Sequence, residues 1–183
     1  MQGLDTVPKR IRSTAGRHPD LAALMFKDAQ GEFNSISYKS LYEQVKQCAA
    51  GLNAIGIARG DHVGIISDNR KEWIITDLAL LGLGAVDVPR GSDSMADEIA
   101  YILQHAECSI SFAENSSQAE KILSKKDKLP NLHTLVLFDN SKEIKSQYKD
   151  KVKVISFDEI IGNGSKAYQK DTDFYDREVD KGS

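Results

Sequence analysis

The chain has 183 residues, 40% of them hydrophobic and 28% charged, with a formal net charge of -3 at pH 7. That length holds one domain of ordinary size with a real core, and the composition excludes a disordered chain. The slight negative charge excludes a polycation that grips nucleic acid, and no apolar run approaches the roughly 18 residues of a bilayer span.

Residues 1–20 read as an N-terminal arm. Lys9, Arg10 and Arg12 have no apolar stretch behind them, so this is no secretory signal, and Pro8 to Arg12 form a solvated basic patch. Residues 21–61 read as a hairpin and helix leading into a sheet. Leu24-Met25-Phe26 and Phe33-Asn34-Ser35-Ile36 flank the turn cluster Asp28-Ala29-Gln30-Gly31. Tyr38, Leu41, Tyr42, Val45, Cys48, Ala49, Leu52 and Ile55 then line one helical face, with Ser37 as its cap and Gly56 in the left-handed position after it.

Residues 62–164 read as an α/β sheet subdomain. Short apolar runs at 62–67, 85–88, 109–113, 132–138 and 151–156 start about 20 to 24 residues apart, and helical patterns fill the first three gaps. That alternation predicts a mostly parallel, doubly wound sheet with helices on both faces. Asn69/Glu72, Ser94/Asp97 and Ser117/Glu120 have capping-box spacing. The helix from Lys71 to Leu83 is apolar nearly all round and should be deeply buried or meet a second layer. Residues 139–150 are polar and weakly patterned. Beyond Gly162-Asn163-Gly164 the apolar period stops, so residues 165–183 read as a polar linker or tail.

No chemistry-bearing motif stands out. Gly82-Leu83-Gly84 lacks a third glycine and precedes a strand, so it ends a helix rather than gripping a dinucleotide; Gly164-Ser165-Lys166 lacks the rest of a Walker loop. His105 and Cys108 lie three apart but have no further ligands at metal spacing. His18, His62 and His133 pair with no evident nucleophile, although such groups meet only in space. Cys48 and Cys108 sit in apolar patterns, as core thiols of a reducing compartment do, and the expected location is cytoplasmic. Asp68 and Asn69 fall at the carboxyl end of a strand, where open α/β sheets bind ligands; capping of the next helix is the simpler use. The expectation is that the chain holds no catalytic, cofactor-binding or metal residue.

The order of several segments goes further. Ser37-Tyr38-x-x-Leu41 is followed by Gly56-Ile57-Ala58-Arg59-Gly60-Asp61, then Asn69-Arg70-Lys71-Glu72-Trp73, then Gly82-Leu83-Gly84-Ala85-Val86-Asp87-Val88-Pro89. This series resembles the N-terminal region of the AMP-dependent synthetase and ligase superfamily. The Asn-Arg-x-Glu-Trp segment is most similar to its long-chain fatty acyl-CoA synthetases. Val88-Pro89-Arg90-Gly91 with Glu98-Ile99-x-Tyr101-Ile102-Leu103 is similar to bacterial members. The resemblance implies that a fatty carboxylate attacks the α-phosphate of MgATP, and that coenzyme A then displaces AMP after a domain rotation. It transfers no catalytic residue, because the Ser/Thr/Gly-rich phosphate loop, the later aromatic-Gly-x-Thr-Glu segment, the ribose-binding Asp and the C-terminal lysine have no counterpart here. Residues 176–183 resemble the linker just before that loop. The expectation is therefore an N-terminal fragment, inactive alone. Its implied partners are fatty acid, ATP, coenzyme A and the remaining enzyme domains, with weak self-association through uncovered surface. Lys71 replaces a frequent proline, and Asp87 in an apolar strand should face solvent or a partner. The alternatives are a stand-alone, non-catalytic α/β binding or interaction domain, and a receiver- or flavodoxin-like protein. For the last, Asp68 supplies only part of an acidic set and Ser67 to Arg70 make a poor flavin loop.

Overall fold

A computed structural model describes residues 6–28 and 30–182. The chain divides into two compact units. One holds the N-terminal segment through Ala58, Arg70–Gly84, and the chain from Ile161 onward; the other holds Arg59–Asn69 and Ala85–Ile160.

The first unit opens with helix α1 (Val7–Arg17), where a solvated arm was expected. The Thr6 hydroxyl accepts from Lys9 N at 3.5 Å, and Pro8 sits in the first turn, where its missing N–H costs nothing. Pro8 and Ala15 are buried. Two of the three bases in the patch are bound: Lys9 Nζ donates to Gly182 O at 2.5 Å and Arg12 Nη1 to Asp176 O at 3.2 Å, while Arg10 is exposed. Strands β1 (Ala22–Lys27) and β2 (Phe33–Ser37) pair antiparallel with Lys27 opposite Phe33. Asp28 Oδ1 closes the turn by accepting from Gln30 N and Glu32 N; Ala29 of the expected turn lies outside the described residues.

Helix α2 (Tyr38–Ala54) starts where Ser37 Oγ accepts from Ser40 N at 3.2 Å, and Gly56 follows it with φ 99°. Leu41, Tyr42, Val45, Cys48, Ala49 and Leu52 are buried on the expected face. Helix α3 (Lys71–Leu83) has the expected bounds but a different start. Arg70, not Asn69, is its cap residue, and Glu72 accepts from Arg70 Nε at 2.7 Å, because the adjacent guanidinium outcompetes a backbone N–H for that carboxylate. Lys71 Nζ stands 4.7 Å from the Phe26 ring centre, tying the helix start to the hairpin.

The second unit holds an all-parallel sheet of β3 (His62–Ile66), β4 (Val86–Arg90), β5 (Ile110–Ala113), β6 (Thr134–Leu137) and β7 (Lys153–Ser156), in spatial order β4-β3-β5-β6-β7. All five runs expected as strands are strands. β4 continues through Pro89, which was expected to end it; on an edge strand a missing N–H leaves no neighbour unpaired. Helices α4 (Ala96–His105), α5 (Ser116–Leu123) and α6 (Lys142–Gln147) join Ile66, Leu135 and Leu137 in one apolar cluster through Ile99, Leu103, Ile122 and Ile144. The expected caps shift. Glu98 Oε2 takes the N–H of Met95, one residue past Ser94, and Asn115 Oδ1 takes that of Gln118, two residues before Ser117. At α5 the oxygen of Asn115 directly precedes the first turn, whereas Ser117 is already inside it.

Residues 165–182 are not a solvated tail. Helix α7 (Phe157–Lys170), which begins in the second unit and continues in the first, and helix α8 (Phe174–Asp180) occupy them, with Tyr175 and Val179 each 2% exposed. A Cβ on Gly164 would lie 1.8 Å from Gln47 O, so this glycine lets α7 cross α2 backbone to backbone. The boundaries expected at residues 20, 61 and 164 are likewise replaced: α3 and the C-terminal helices join the N-terminal ones in a single unit.

Candidate functional site

In the second unit, β3 and β5 are neighbours whose outgoing connections run opposite ways, from β3 to β4 on one side and from β5 to β6 on the other. Ligands of open parallel sheets bind at such a switch point, outside the strands' carboxyl ends. Here those ends are stitched together. Ser67 N donates to Arg90 O (3.0 Å) and Glu114 N to Ile66 O (2.9 Å). Asp68 N donates to Glu114 Oε2 (2.9 Å), and Asp68 Oδ1 accepts from Ser92 N (3.1 Å). Lys121 Nζ on α5 donates to Ser92 O (2.7 Å) and Ser94 O (3.0 Å). The hydrogen bonds that Asp68 itself accepts from Ser92 hold its carboxyl below the ordinary range. Asp68 therefore neither caps α3 nor stands free; it closes the loop after β4. Asn69 is exposed at the same rim.

The other weighed residues are dispersed. His62 Nδ1 meets Ala106 O at 2.8 Å, His133 Nδ1 meets Thr134 Oγ1 at 3.0 Å, and His105 stacks on Tyr101 with ring centres 5.9 Å apart. His18 lies just past α1 as its C-cap. Burial pushes the Cys48 thiol up to about 12 and the Cys108 thiol up to about 11, so both stay protonated near neutral pH. Gly84 ends α3 in the left-handed region, φ 74°, and Gly164-Ser165-Lys166 lies inside α7. Among the described residues, no three His, Cys, Asp or Glu side chains come together to hold a metal, and no helix is long and apolar enough to cross a membrane.

The first unit has a cluster that sequence reasoning missed. An open groove of about 430 Å³ between α1, α2 and α8 is lined by Arg12, Ala15, Gly16, Pro19, Lys39, Tyr42, Glu43 and Asp176. Asp176 is its hub. The Tyr42 hydroxyl donates to it, Arg12 Nη1 and Lys46 Nζ approach at 3.6 and 3.5 Å, and Arg12 Nη2 reaches Asp180 at 2.5 Å. The Tyr168 hydroxyl donates to Glu43 at 2.7 Å. Burial, then the bond to Asp176, pushes the Tyr42 hydroxyl far above its ordinary range, so it acts as a donor at every physiological pH. Each acid in this mesh faces a base or a hydroxyl, which suits fastening rather than proton transfer. The available signal was the spacing of Tyr175 and Val179, four apart on one face of a segment otherwise charged.

The profile of a family described as "AMP-binding enzyme" matches residues 11–173. A long-chain-fatty-acid–CoA ligase of Xenopus laevis is 31% identical over 148 residues, covering 81% of this chain and 18% of the relative. A long-chain-fatty-acid–CoA ligase of Mycobacterium tuberculosis is 31% identical over 136 residues, covering 67% of this chain and 23% of the relative. The chain thus spans about a fifth of the length of these curated relatives. Among solved structures, the A domain of a carboxylic acid reductase from Segniliparus rugosus superposes with a TM-score of 0.75 at 19% identity, covering 90% of this chain and 31% of that one. That likeness is one of fold.

Proposed function

This chain belongs to the AMP-binding enzyme family, and from that premise we propose that it is the N-terminal portion of an AMP-forming long-chain fatty acid–CoA ligase. The observation that carries the reading is the family match over residues 11–173, joined to relatives named as long-chain-fatty-acid–CoA ligases. In the intact enzyme a fatty carboxylate oxygen attacks the α-phosphorus of ATP and displaces pyrophosphate, leaving an acyl-adenylate. The coenzyme A thiol, giving up its proton, then attacks the acyl carbon and releases AMP. Fatty acid, ATP and coenzyme A are the substrates. The described residues bring together no donor set for the magnesium that accompanies ATP. Within these 183 residues there is no Ser/Thr/Gly-rich phosphate loop with its lysine, and the rim carboxylates Asp68 and Glu114 are occupied by backbone N–H groups. The isolated chain is accordingly proposed to be inactive, and the two buried thiols favour a cytoplasmic setting.

The test is to incubate the full-length protein with palmitate, MgATP and coenzyme A. Equimolar AMP, pyrophosphate and palmitoyl-CoA are expected, and ADP in place of AMP, or release independent of fatty acid, overturns the assignment. The 183-residue chain alone should release no pyrophosphate above a control without protein; release by it overturns the inactivity.

A further inference from the structure

The β1–β2 hairpin sorts its side chains between two faces. A bulge at Ala23, between the pairs Ala22↔Ser37 and Leu24↔Ile36, puts Ala22 on the same face as Met25 and Lys27. Ser35 lies opposite Met25, and Phe33 opposite Lys27. All five are exposed, Met25 and Phe33 at 69% each. The other face carries Leu24, Phe26 and Ile36, all half-buried, and Lys71 Nζ stands 4.7 Å from the Phe26 ring centre. The ribbon is thus seated by one face and displays the other. Its turn is fixed too, because Asp28 accepts from Gln30 N, Glu32 N and Asn34 Nδ2 at 2.8–3.0 Å.

Size and charge distinguish the occupants that could cover the displayed face. Two strands of six and five residues present roughly 200 Å², against the about 800 Å² per partner of a stable protein interface. A second copy therefore gains little there. Lysine is depleted at the centres of protein interfaces, yet Lys27 is two residues from Met25, and its Nζ lies 5.1 Å from the Phe33 ring centre. At a bilayer the same grouping is favourable. Methionine and phenylalanine enter the acyl boundary, while the lysine stem lies along them and its ammonium reaches the lipid phosphates. The net charge of -3 opposes approach to anionic lipid, so the apolar pair carries the attachment and Lys27 adds to it.

We propose that the displayed face of the hairpin, Met25 and Phe33 with Lys27, docks the enzyme reversibly on an anionic lipid bilayer. The proposal rests on the ligase reading for the reason to visit a bilayer: a long-chain fatty acid partitions there, methylene by methylene. The means of attachment rest on the hairpin alone.

The experiment sediments submicromolar full-length protein, without fatty acid, with vesicles of phosphatidylcholine alone or with roughly 30% phosphatidylserine. Binding is expected with a constant of about 10³–10⁴ M⁻¹ in lipid, at or below that of one myristoyl chain. Met25→Ser with Phe33→Ser should weaken it about ten-fold or more on both vesicles and leave the thermal midpoint unchanged. Lys27→Gln should weaken it about five-fold on the anionic vesicles only, the factor that one lysine supplies near a charged surface. No binding by the parent, binding that the double serine variant retains, or a Lys27→Gln effect equal on both vesicles overturns the proposal. A midpoint lowered in the double variant also overturns it, since the rest of the chain then covers this face. So does a parent dimer at the assay concentration that the double variant dissolves, since a second copy then covers it. Absence of fatty-acid-dependent AMP release overturns the ligase reading instead, and vesicle binding measured without substrate is distinct from that result.

Discussion

Gly82 and Tyr175 stand 93 positions apart and explain each other. The Tyr175 hydroxyl donates to Leu78 O at 2.6 Å, and a Cβ placed on Gly82 would lie 2.1 Å from its ring. A glycine that reads as a helix terminator is therefore also the floor of an aromatic socket. Gly82→Ala should destabilise the chain by about 1–3 kcal/mol through overpacking, measured by urea denaturation. In the Tyr175→Leu background the same change should cost clearly less, because the ring edge that it strikes is gone; an equal cost in both backgrounds would mean that the ring does not fill the socket. At this scale the sequence is a partial guide. The carboxyl-end rule places Asp68 at the sheet rim, but its partner is the backbone N–H of Ser92, and a backbone donor has no sequence signature. The same holds for Lys121, which binds two carbonyls.

Elements with uniform periodicity were legible, and those with mixed signals were not. The five parallel strands are short apolar runs because both faces of such a sheet are covered, and each is found within a few residues of its expected place. Helix α7 was hidden by Gly162 and Gly164, read as breakers, although Gly164 marks a close helix crossing. A start signal was present in Ser156-Phe157-Asp158-Glu159. Ser156 N and Oγ both donate to Glu159 Oε2, at 2.7 and 2.8 Å, and Ser156 Oγ accepts from Glu159 N at 3.2 Å. The Lys145 ammonium and then Ser156 hold the Glu159 carboxyl down to about 2. A depressed carboxyl stabilises the fold above its unfolded value near 4.5, and that contribution is lost as pH falls through about 2. Glu159→Gln should thus lower stability at neutral pH by about 1 kcal/mol, the limit for so exposed a pair, and the gap to the parent should close between pH 4.5 and 2. A gap independent of pH would assign the effect to packing. Helix α8 offers a larger test. With Tyr175 and Val179 buried and Asp176 bonded to Tyr42, deleting residues 171–182 should lower the thermal midpoint by about 5 °C or more, as lost core contacts do. A midpoint unchanged within a degree or two would restore the solvated tail.

For the whole molecule, sequence order was the misleading guide. Four consecutive segments were expected, whereas the units interleave: α3 leaves the sheet segment to join the N-terminal helices, and the C-terminal helices return to them. Helix periodicity says that a face is buried but not in which unit, so contiguity was the default and it failed. Self-association was expected through α3 and the hairpin together; α3 contributes none of the large exposed apolar side chains, whereas the hairpin contributes Met25 and Phe33, both 69% exposed, with Leu21 at 60% just before it. Met25 and Lys27 point the same way along β1, and Phe33 faces Lys27 across the ladder, so Met25 and Phe33 share one open face. The ribbon has two strands only among the described residues, which leaves both edges able to pair. Lys27 lies over the Phe33 ring at 5.1 Å and keeps charge at that face, which weakens the contact without abolishing it. If several hundred Å² of apolar surface are covered on pairing, the gain is on the order of 10 kcal/mol before association costs, and those costs take most of it. The isolated chain should therefore form a weak dimer. Sedimentation from micromolar towards millimolar concentration should show a mean mass rising above 20.2 kDa, and Met25→Glu with Phe33→Glu should return it to the monomer value. A parent chain that stays monomeric throughout, or a rise that both substitutions leave intact, would remove the hairpin as the associating surface.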